Sequence, residues 1–412
     1  MDQAFVDRIN AQTAYEFART GPPADFPKLP DLPLGRYTDE RIWHLEHRHV
    51  FGRNWIFVAH TSELPGAGSY RTIDVVGRPL VLIRGDDGVV RAFFNSCRHR
   101  GAPVVRDECG TCRLMVCQYH SWSFDQTGRL VRVPDERDFV GLQPDERGLV
   151  SVRCEAWGGL LFVNFDDDAM PLLEYLGPLA DELRELVTAD LRVVARTTTT
   201  HRCNWKIMAE GFLEVYHAKT IHTNTVAGVL RPAGAAISLI ANGHSRMYTP
   251  LSEAVMAGGR DSHRGLPIVE GLGSLFDTHN PAYSVFPNLI SPLDKAGFPL
   301  LQFWPEAIDR TRLERIWLGP ASGVEPERNP VWDKRFAAFD IVMDEDAENL
   351  EPIQRSVESA AQGGIPLNYQ ERRIWHLHTT IDRSITAGAG ADAIPEGLRV
   401  PDLLSDWVDQ PN

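Results

Sequence analysis

Two pairs of residues able to bind metal lie close together in the chain. Cys97 and His99 form the first pair, and Cys117 and His120 form the second after a further seventeen residues. One cysteine and one histidine from each of two loops is the ligand set of a Rieske [2Fe–2S] cluster. Zinc also binds two cysteines with two histidines, but zinc fingers usually do not mix the two residue types within each half. The mixed pairs therefore favour a Rieske cluster over a structural zinc site.

A second group of candidate ligands lies in the segment 204–222. We predict a helix from Asn204, a good N-cap residue, to about Tyr216. His217 and His222 are five residues apart, which does not place them on one face of a regular helix. They can bind one metal only if a π-bulge or the end of the helix separates them. Otherwise they are two unrelated surface histidines.

A third ligand is expected from the acidic, amphipathic stretch 339–350. Its carboxylates either form a solvated face or include one that points inward. Two neutral imidazoles and one carboxylate make the facial triad of non-haem Fe(II) oxygenases, which leaves coordination positions open. Glu214, three residues before His217, can orient that imidazole through a hydrogen bond; otherwise it is a simple exposed residue.

Composition excludes several classes of partner. The net charge of −14 disfavours nucleic acid and anionic membranes, which require basic surfaces. The sequence has no secretory signal at residues 1–20 and no long apolar run, so we expect a cytoplasmic protein without membrane contact. Four of the six cysteines lie within 97–117, a distribution typical of a metal site. Among them, Cys109 and Cys112 form either a redox-active dithiol or, as we favour, thiols of a variable loop.

The pattern of short strands and turns from 55 to 165 changes near the acidic run 166–168 to a mixture of helices and longer strands. We predict an N-terminal arm over residues 1–40 that packs on a catalytic domain. An all-β domain over 41–168 follows, and residues 169–412 form the catalytic domain. Helices are expected over 38–51, capped by Thr38 or Asp39, and over 172–188.

With both motifs taken together, the chain resembles the large (α) subunit of Rieske non-haem iron oxygenases, the ring-hydroxylating dioxygenase superfamily, from about residue 40 to 380. Beside the two ligand groups, the resemblance is carried by two short motifs, Tyr119–Phe124 and Asn204-Trp205-Lys206. It implies an α+β chain with an N-terminal all-β Rieske [2Fe–2S] domain and a helix-grip (START/Bet v 1-like) catalytic domain. It also implies that His217, His222 and Asp346 bind a mononuclear Fe(II), with Asp344 as the alternative to Asp346.

The resemblance further implies a homotrimer, with or without a small β subunit as α3β3. Electrons would come from a ferredoxin or a flavin-dependent reductase, and Glu214 would bridge His217 and His120 of the neighbouring subunit. Two residues depart from the usual family pattern. Ser121 stands where glycine is usual, and Glu214 stands where aspartate is more common. In having glutamate at the second position, the chain is similar to family members that act on quaternary ammonium compounds.

These observations predict a terminal oxygenase that uses O2 and electrons from an NAD(P)H-dependent reductase or ferredoxin. Its reaction would be mono- or cis-dihydroxylation of an aromatic small molecule. The alternative is a monooxygenase or N-demethylase of a quaternary ammonium or betaine-like substrate, whose cation an aromatic cage would bind. Less expected are a Rieske electron carrier without oxygenase activity and a zinc-stapled binding protein. The substrate pocket is expected to be lined by apolar and aromatic side chains: Val226, Val229, Leu230, Ile237, Leu239, Phe276, Tyr283, Phe286, Leu301 and Phe303.

Overall fold

The computed structural model describes residues 2–257, 265–325 and 327–409, which fall into two compact units. The smaller unit is Phe51–Leu172, and the larger combines Met1–Val50 with Leu173–Asn412. The segment 41–50, which we assigned to the all-β domain, thus belongs to the larger unit. The domain limits given from the sequence remain a prediction.

The smaller unit consists of antiparallel strands in two sheets. A seven-stranded sheet has the order β1-β10-β9-β4-β3-β2-β5, and a three-stranded sheet has the order β6-β7-β8. The strands are β1 (Ile56–His60), β2 (Ser69–Asp74), β3 (Pro79–Arg84), β4 (Val90–Phe94), β5 (Cys109–Thr111), β6 (Met115–Val116), β7 (Ser123–Phe124), β8 (Leu130–Arg132), β9 (Ser151–Trp157) and β10 (Leu160–Asn164).

The larger unit is built on one eight-stranded sheet of order β11-β17-β16-β15-β14-β13-β12-β18. Its neighbours are antiparallel except for the parallel pair of β12 and β18. The strands are β11 (Leu191–His201), β12 (Ala236–Ile240), β13 (Ser245–Pro250), β14 (His279–Val285), β15 (Leu289–Pro292), β16 (Phe298–Ala307), β17 (Arg310–Pro320) and β18 (Val408–Asp409).

Among the described residues, three long helices and several short ones accompany this sheet. The helices are α1 (Gln3–Ala18), α2 (Gly35–Thr38), α3 (Glu40–Leu45), α4 (Leu172–Leu176), α5 (Leu179–Glu182), α6 (Arg184–Val187), α7 (Trp205–Gly211), α8 (Glu253–Ala257), α9 (Leu275–Thr278), α10 (Val331–Glu358) and α11 (Arg372–Ala389). The combination of an all-β unit with a mixed helix-and-sheet unit confirms the predicted α+β class. No helix of the described residues is long and apolar enough to cross a membrane.

The two faces of the large sheet are covered by different elements. On one face, Phe5 of α1 packs edge-on against Tyr248 of β13, with ring centroids 5.8 Å apart. On the other face, α11 lies over β12, where the His376 ring bonds to the carbonyl of Ile240 at 2.9 Å. Side chains of a strand alternate between faces. The second face therefore carries Ile237 and Met247, which belong to one apolar cluster.

Three helix predictions are corrected or refined by the structure. The helix expected over 172–188 is divided into α4, α5 and α6, with a break at Gly177, whose φ is +55°, followed by Pro178. The helix expected from Asn204 to about Tyr216 ends at Gly211, because glycine is a poor helix former. The helix near residue 40 is capped by the side chain of Asp39, and its last turn, Glu46–Val50, is π-helical.

The Asn204-Trp205-Lys206 motif fixes α7 to the N-terminal arm. The Asn204 side chain accepts from the amide of Lys206 and donates to the carbonyls of Tyr37 and Ile308. The Trp205 indole and the Lys206 ammonium both donate to the Glu46 carboxylate, at 2.8 and 3.0 Å. This buried bonding fixes the helix that precedes the candidate metal-binding histidines.

Candidate functional site

The two cysteine–histidine loops of the smaller unit have the same backbone construction. In each loop the amide four residues after the cysteine, that of Gly101 or Ser121, donates to the cysteine carbonyl, at 2.9 and 2.8 Å. Both of these fourth residues have positive φ, +77° for Gly101 and +58° for Ser121. That conformation is easy for glycine and costly for serine. The first loop follows β4, and the second connects β6 and β7.

These loops bring the four predicted cluster residues together. Cys97 and Cys117 are buried free thiols in contact with each other. The rings of His99 and His120 have centroids 4.6 Å apart. His99 also stacks on Trp122 at 5.1 Å, whereas His120 is exposed.

The chemistry of this group fits a bound metal cluster. The Nδ1 atom of His99 is buried and has no hydrogen-bond partner among the described residues. Burial lowers the pKa of His99, with a further contribution from His120, so its imidazole stays neutral, as a metal ligand must be. Burial also raises the pKa of the Cys97 thiol, which becomes a thiolate in such a place only beside a cation. Two buried thiols and an unpartnered imidazole nitrogen therefore suit an iron–sulfur cluster.

Cys109 and Cys112 lie apart from this group in the fold. Cys109 begins β5 at the edge of the seven-stranded sheet and is exposed, and Cys112 follows that strand. Both are free thiols. This placement puts Cys109 in a strand and not in a loop, and it gives neither thiol a position in the cysteine–histidine loops.

The end of α7 resolves the five-residue spacing of the two candidate metal-binding histidines. His217 begins the 3₁₀ turn His217–Lys219, and His222 follows that turn. The helix has ended six residues before His217, so the separation no longer has to match a helical period. Their rings have centroids 5.1 Å apart.

Helix α10 places Asp346 beside both histidines. One Asp346 oxygen lies 3.1 Å from Nε2 of His222 and 3.6 Å from Nε2 of His217. One ligand atom from each of the three residues lies within 4.8 Å of the other two. Asp344, the alternative, is exposed. The three predicted iron ligands thus converge on one point, and Asp346 supplies the carboxylate.

Two further carboxylates bond to Nδ1 of the two histidine rings, the nitrogen that does not face Asp346. The Nδ1 atom of His217 bonds to Glu214, whose side chain also accepts from the backbone amides of Tyr216 and His217. The Nδ1 atom of His222 bonds to Glu345 at 2.7 Å. With Nδ1 bonded in both rings, Nε2 is the nitrogen left to bind a metal.

The role of Glu345 was missed from the sequence. It lies within the acidic stretch 339–350 without a distinguishing signal, because its contact with His222 depends on how α10 is rotated. Glu345 also accepts from the Thr225 hydroxyl at 2.6 Å. Bonds from Thr225 and His222 lower the pKa of Glu345. Burial lowers the pKa of His222, but its contacts with Asp346 and Glu345 outweigh this and raise it. The site therefore favours positive charge, which a divalent cation supplies.

A buried polar network beneath α7 was also missed from the sequence. Glu210 accepts from the Tyr37 hydroxyl at 2.9 Å and from Nε2 of His378 at 2.8 Å. The Arg36 guanidinium donates to Nδ1 of His378 at 2.7 Å, so that imidazole is neutral with its proton on Nε2. Burial raises the pKa of Glu210 to about 8. The fold therefore holds a neutral carboxylic acid one turn before Glu214.

Tyr283, one of the predicted pocket residues, is part of another buried network. Its hydroxyl bonds to the Tyr248 hydroxyl at 2.7 Å and to Glu182 at 3.2 Å. Arg246 also bonds to Glu182, at 2.6 Å. These contacts lie on the sheet face covered by α1, so Tyr283 is a core residue there.

Comparison with protein families assigns both units. The profile of the Rieske [2Fe-2S] domain matches residues 54–150. The profile described as ring hydroxylating alpha subunit (catalytic domain) matches residues 188–387. The matched ranges contain both candidate metal groups.

Known relatives come from two functional groups. The chain is 36% identical over 193 residues to a carnitine monooxygenase oxygenase subunit of Escherichia coli (strain K12), covering 46% of this chain and 52% of that protein. It is 35% identical over 231 residues to the α subunit of biphenyl 2,3-dioxygenase of Rhodococcus jostii (strain RHA1), covering 53% of this chain and 50% of that protein. The chain spans about half the length of these curated relatives.

A solved structure shares the fold over most of the chain. A quaternary ammonium Rieske monooxygenase in complex with L-carnitine superposes with a TM-score of 0.73 at 21% identity, covering 89% of this chain and 99% of that one. The two matching domains imply a Rieske [2Fe–2S] cluster and a mononuclear iron. The chain joins a Rieske domain to a ring-hydroxylating catalytic domain, and it belongs to the α subunits of the Rieske non-haem iron oxygenases.

Proposed function

We propose that this chain is the terminal oxygenase component of a multicomponent system that hydroxylates a small organic molecule with O2. The observation that carries the proposal is the convergence of His217, His222 and Asp346 on one point. This is the donor set of a mononuclear iron site with open coordination positions. We assign the iron to these three residues and the cluster to Cys97, His99, Cys117 and His120. When bound, the cluster supplies electrons one at a time and the ferrous ion activates O2.

The protein's own residues position these groups and hold protons near them. Glu214 fixes the ring of His217, and Glu345 fixes the ring of His222, so both imidazoles present Nε2 to the same point. Glu214 carries a second carboxylate oxygen, which already accepts from two backbone amides. Because both oxygens of the Glu214 carboxylate are bonded, its orientation stays fixed when the charge of a neighbouring metal centre changes.

The proposed assembly is a homotrimer in which electrons pass between subunits. His120 is exposed in the cluster loops, and Glu214 lies beside His217 in the catalytic unit. Glu214 would then join His217 to His120 of the partner subunit. The electron donor would be a ferredoxin or a flavin-dependent reductase. An additional small subunit is compatible with the same arrangement.

A second candidate substrate class is a quaternary ammonium compound of the betaine type. It is supported by Glu214, which stands where aspartate is more common, and by the similarity to a carnitine monooxygenase. The aromatic main proposal is supported by the similarity to a biphenyl dioxygenase. The products separate the two classes, because oxidation of a carbon next to nitrogen releases an amine and an aldehyde, which is formaldehyde when the carbon is an N-methyl group. Ring hydroxylation releases neither.

A single-turnover reaction tests the proposal. The iron-loaded protein is reduced chemically, freed of reductant and mixed with ¹⁸O2 and one of biphenyl, benzoate, carnitine or glycine betaine. We expect ¹⁸O in a product of one class from the wild type. Glu214→Gln should keep both metal centres but lose the reaction, whereas Glu348→Gln, an exposed acid of α10, should behave as the wild type. Normal turnover by Glu214→Gln would contradict the bridging role.

A further inference from the structure

Arg373 is a buried cation of the catalytic unit to which the described residues supply no counter-charge. Arg373, in the first turn of α11, is 1% exposed. Its Nε atom donates to the Ser245 hydroxyl at 2.9 Å. Its two terminal nitrogens, Nη1 and Nη2, are buried and have no hydrogen-bond acceptor among the described residues. The two terminal donor nitrogens of the guanidinium thus lack a protein acceptor in the described part of the chain.

The other buried arginines of this unit show how the fold normally treats such a charge. Arg36 pairs with Asp382 at 2.7 Å, Arg246 with Glu182 at 2.6 Å, and Arg372 with Glu16 at 3.5 Å. In the described part of the chain no carboxylate pairs with Arg373, and its charged neighbour is Arg372. The first turn of α11 contains no acidic residue, and a helix N-terminus is itself positive. A buried charge in such surroundings is stable only with an anionic partner.

The electrostatics agree with this geometry. Burial, and then the charge of Arg372, lower the pKa of Arg373 to about 9. The side chain therefore remains a cation near neutral pH. A bound anion would raise this pKa again and accept hydrogen bonds from the two terminal nitrogens.

Arg373 also lies on the side of the sheet that carries the iron ligands. Ser245, its partner, is two residues from Met247 on β13, so both side chains point to the same face, about 7 Å apart along the strand. Met247 belongs to the apolar cluster with Val215 and Ala218, the residues that flank Tyr216 and His217. The apolar cluster therefore contains residues next to His217 and, through Met247, lies on the face of β13 that also carries Ser245.

We propose that Arg373 binds the carboxylate of the substrate, so that the oxidised part of the molecule is held toward the His217, His222 and Asp346 site. A planar guanidinium binds a carboxylate through two parallel hydrogen bonds, which fixes direction as well as charge. This inference deepens the proposed function and rests on it for the identity of the ligand as substrate. It narrows both substrate classes to their carboxylated members, aryl carboxylates or betaines.

The test compares carboxylates with matched compounds that lack the charge. Benzoate is paired with benzamide, and glycine betaine with choline, and each binds to the iron-loaded protein in a calorimetric titration without O2. We expect at least one carboxylate to bind at least about tenfold more tightly than its pair in the wild type. Arg373→Gln should remove this preference. Arg383→Gln should not, because Arg383 lies on the same helix in an exposed pair with Asp402.

A structural role for Arg373 predicts different results. If Arg373 only supports the fold, Arg373→Gln lowers the melting temperature of the ligand-free protein and leaves the carboxylate preference unchanged. On our proposal, loss of an uncompensated buried charge leaves that melting temperature equal or higher. If Arg373→Gln does not fold, the same binding measurement is made on Arg373→Lys. A lysine cannot form the two parallel hydrogen bonds, so this variant should lose the preference for the carboxylate. Equal binding of both members in both wild-type pairs would overturn the inference.

The binding measurement is independent of oxygen chemistry. Carboxylate binding that depends on Arg373 in a protein that forms no ¹⁸O product would refute the proposed function and keep the anion site. An ¹⁸O product formed from a substrate without a carboxylate, with no effect of Arg373→Gln, would refute the anion site alone.

Discussion

Two neighbouring acidic residues on α10 have different roles at the candidate iron site. Asp346 faces Nε2 of both histidines, and Glu345 holds Nδ1 of His222. Consecutive residues of a helix differ by about 100° in direction, so they reach the site from different sides. The carboxylate nearest the metal position and the carboxylate that orients a ligand therefore come from one turn.

The contact of Glu345 predicts its effect on iron affinity. Glu345→Gln keeps the size of the side chain but weakens the bond to Nδ1 of His222, so iron affinity should fall by about 10- to 100-fold. Competition with a chelator followed by iron analysis measures this. Asp344→Asn, an exposed neighbour, is the control and should have no effect. Equal iron retention in all three proteins would show that Glu345 does not support the site.

At the scale of elements, a buried ion pair connects the π-helical turn Glu46–Val50 to α7. The side chains of Lys206 and Glu46 are both fully buried, and Nζ of Lys206 lies 2.8 Å from Oε1 of Glu46. Removing one partner leaves an uncompensated charge, so Lys206→Met should destabilise the protein by about 3–5 kcal/mol. The double variant Lys206→Met with Glu46→Gln should recover most of this loss. Thermal unfolding of both proteins measures the difference, and equal losses would mean that charge is not the cause.

The acid beneath α7 predicts a dependence of stability on pH. The pKa of Glu210 is about 8 in the fold, raised first by burial, against about 4.3 in an unfolded chain. Between these values the folded state holds one more proton than the unfolded state, so this group makes stability fall as pH rises, by at most about 1.4 kcal/mol per pH unit. The charged and titratable groups that face it are Tyr37, His378, Lys206, Arg36 and Glu371.

Glu210→Gln mimics the protonated acid and removes this titration. We expect the stability of the variant relative to the wild type to increase steadily from pH 5.5 to 7.5 in urea unfolding. Asp382, Glu182, His244 and His376 contribute equally to both proteins, so the difference reports Glu210 together with His378, which is bonded to it. Parallel curves would mean that Glu210 is charged in the fold.

The sequence predicted the parts of the site that depend on short spacing. The two cysteine–histidine pairs and the pair of His217 and His222 follow from motifs a few residues long, whereas Asp346 was chosen from the acidic stretch 339–350 by the family resemblance. The structure brings each set together. Glu345 and Arg373 could not be predicted, because their roles depend on which side of a helix faces the site. The early end of α7 was missed since Gly211 lies within an otherwise helical pattern.

At the scale of the whole molecule, the proposed trimer predicts complementation between defective chains. One chain carries Cys97→Ser and lacks the cluster, and the other carries Asp346→Asn and lacks the iron. Neither homotrimer should turn over. In randomly mixed rings of three, each boundary joins an intact cluster to an intact iron site with a chance of one in four, so about a quarter of wild-type activity should return. No activity in the mixture would place electron transfer within one chain.

Iron and sulfide analysis of the purified protein tests the central claim most directly, because it requires no knowledge of the substrate. An oxygenase with both metal centres should contain about three irons and two sulfides per chain. Asp346→Asn should contain about two irons with unchanged red-brown absorption. Two irons in both proteins would instead indicate an electron carrier, and a colourless protein would contradict the cluster itself.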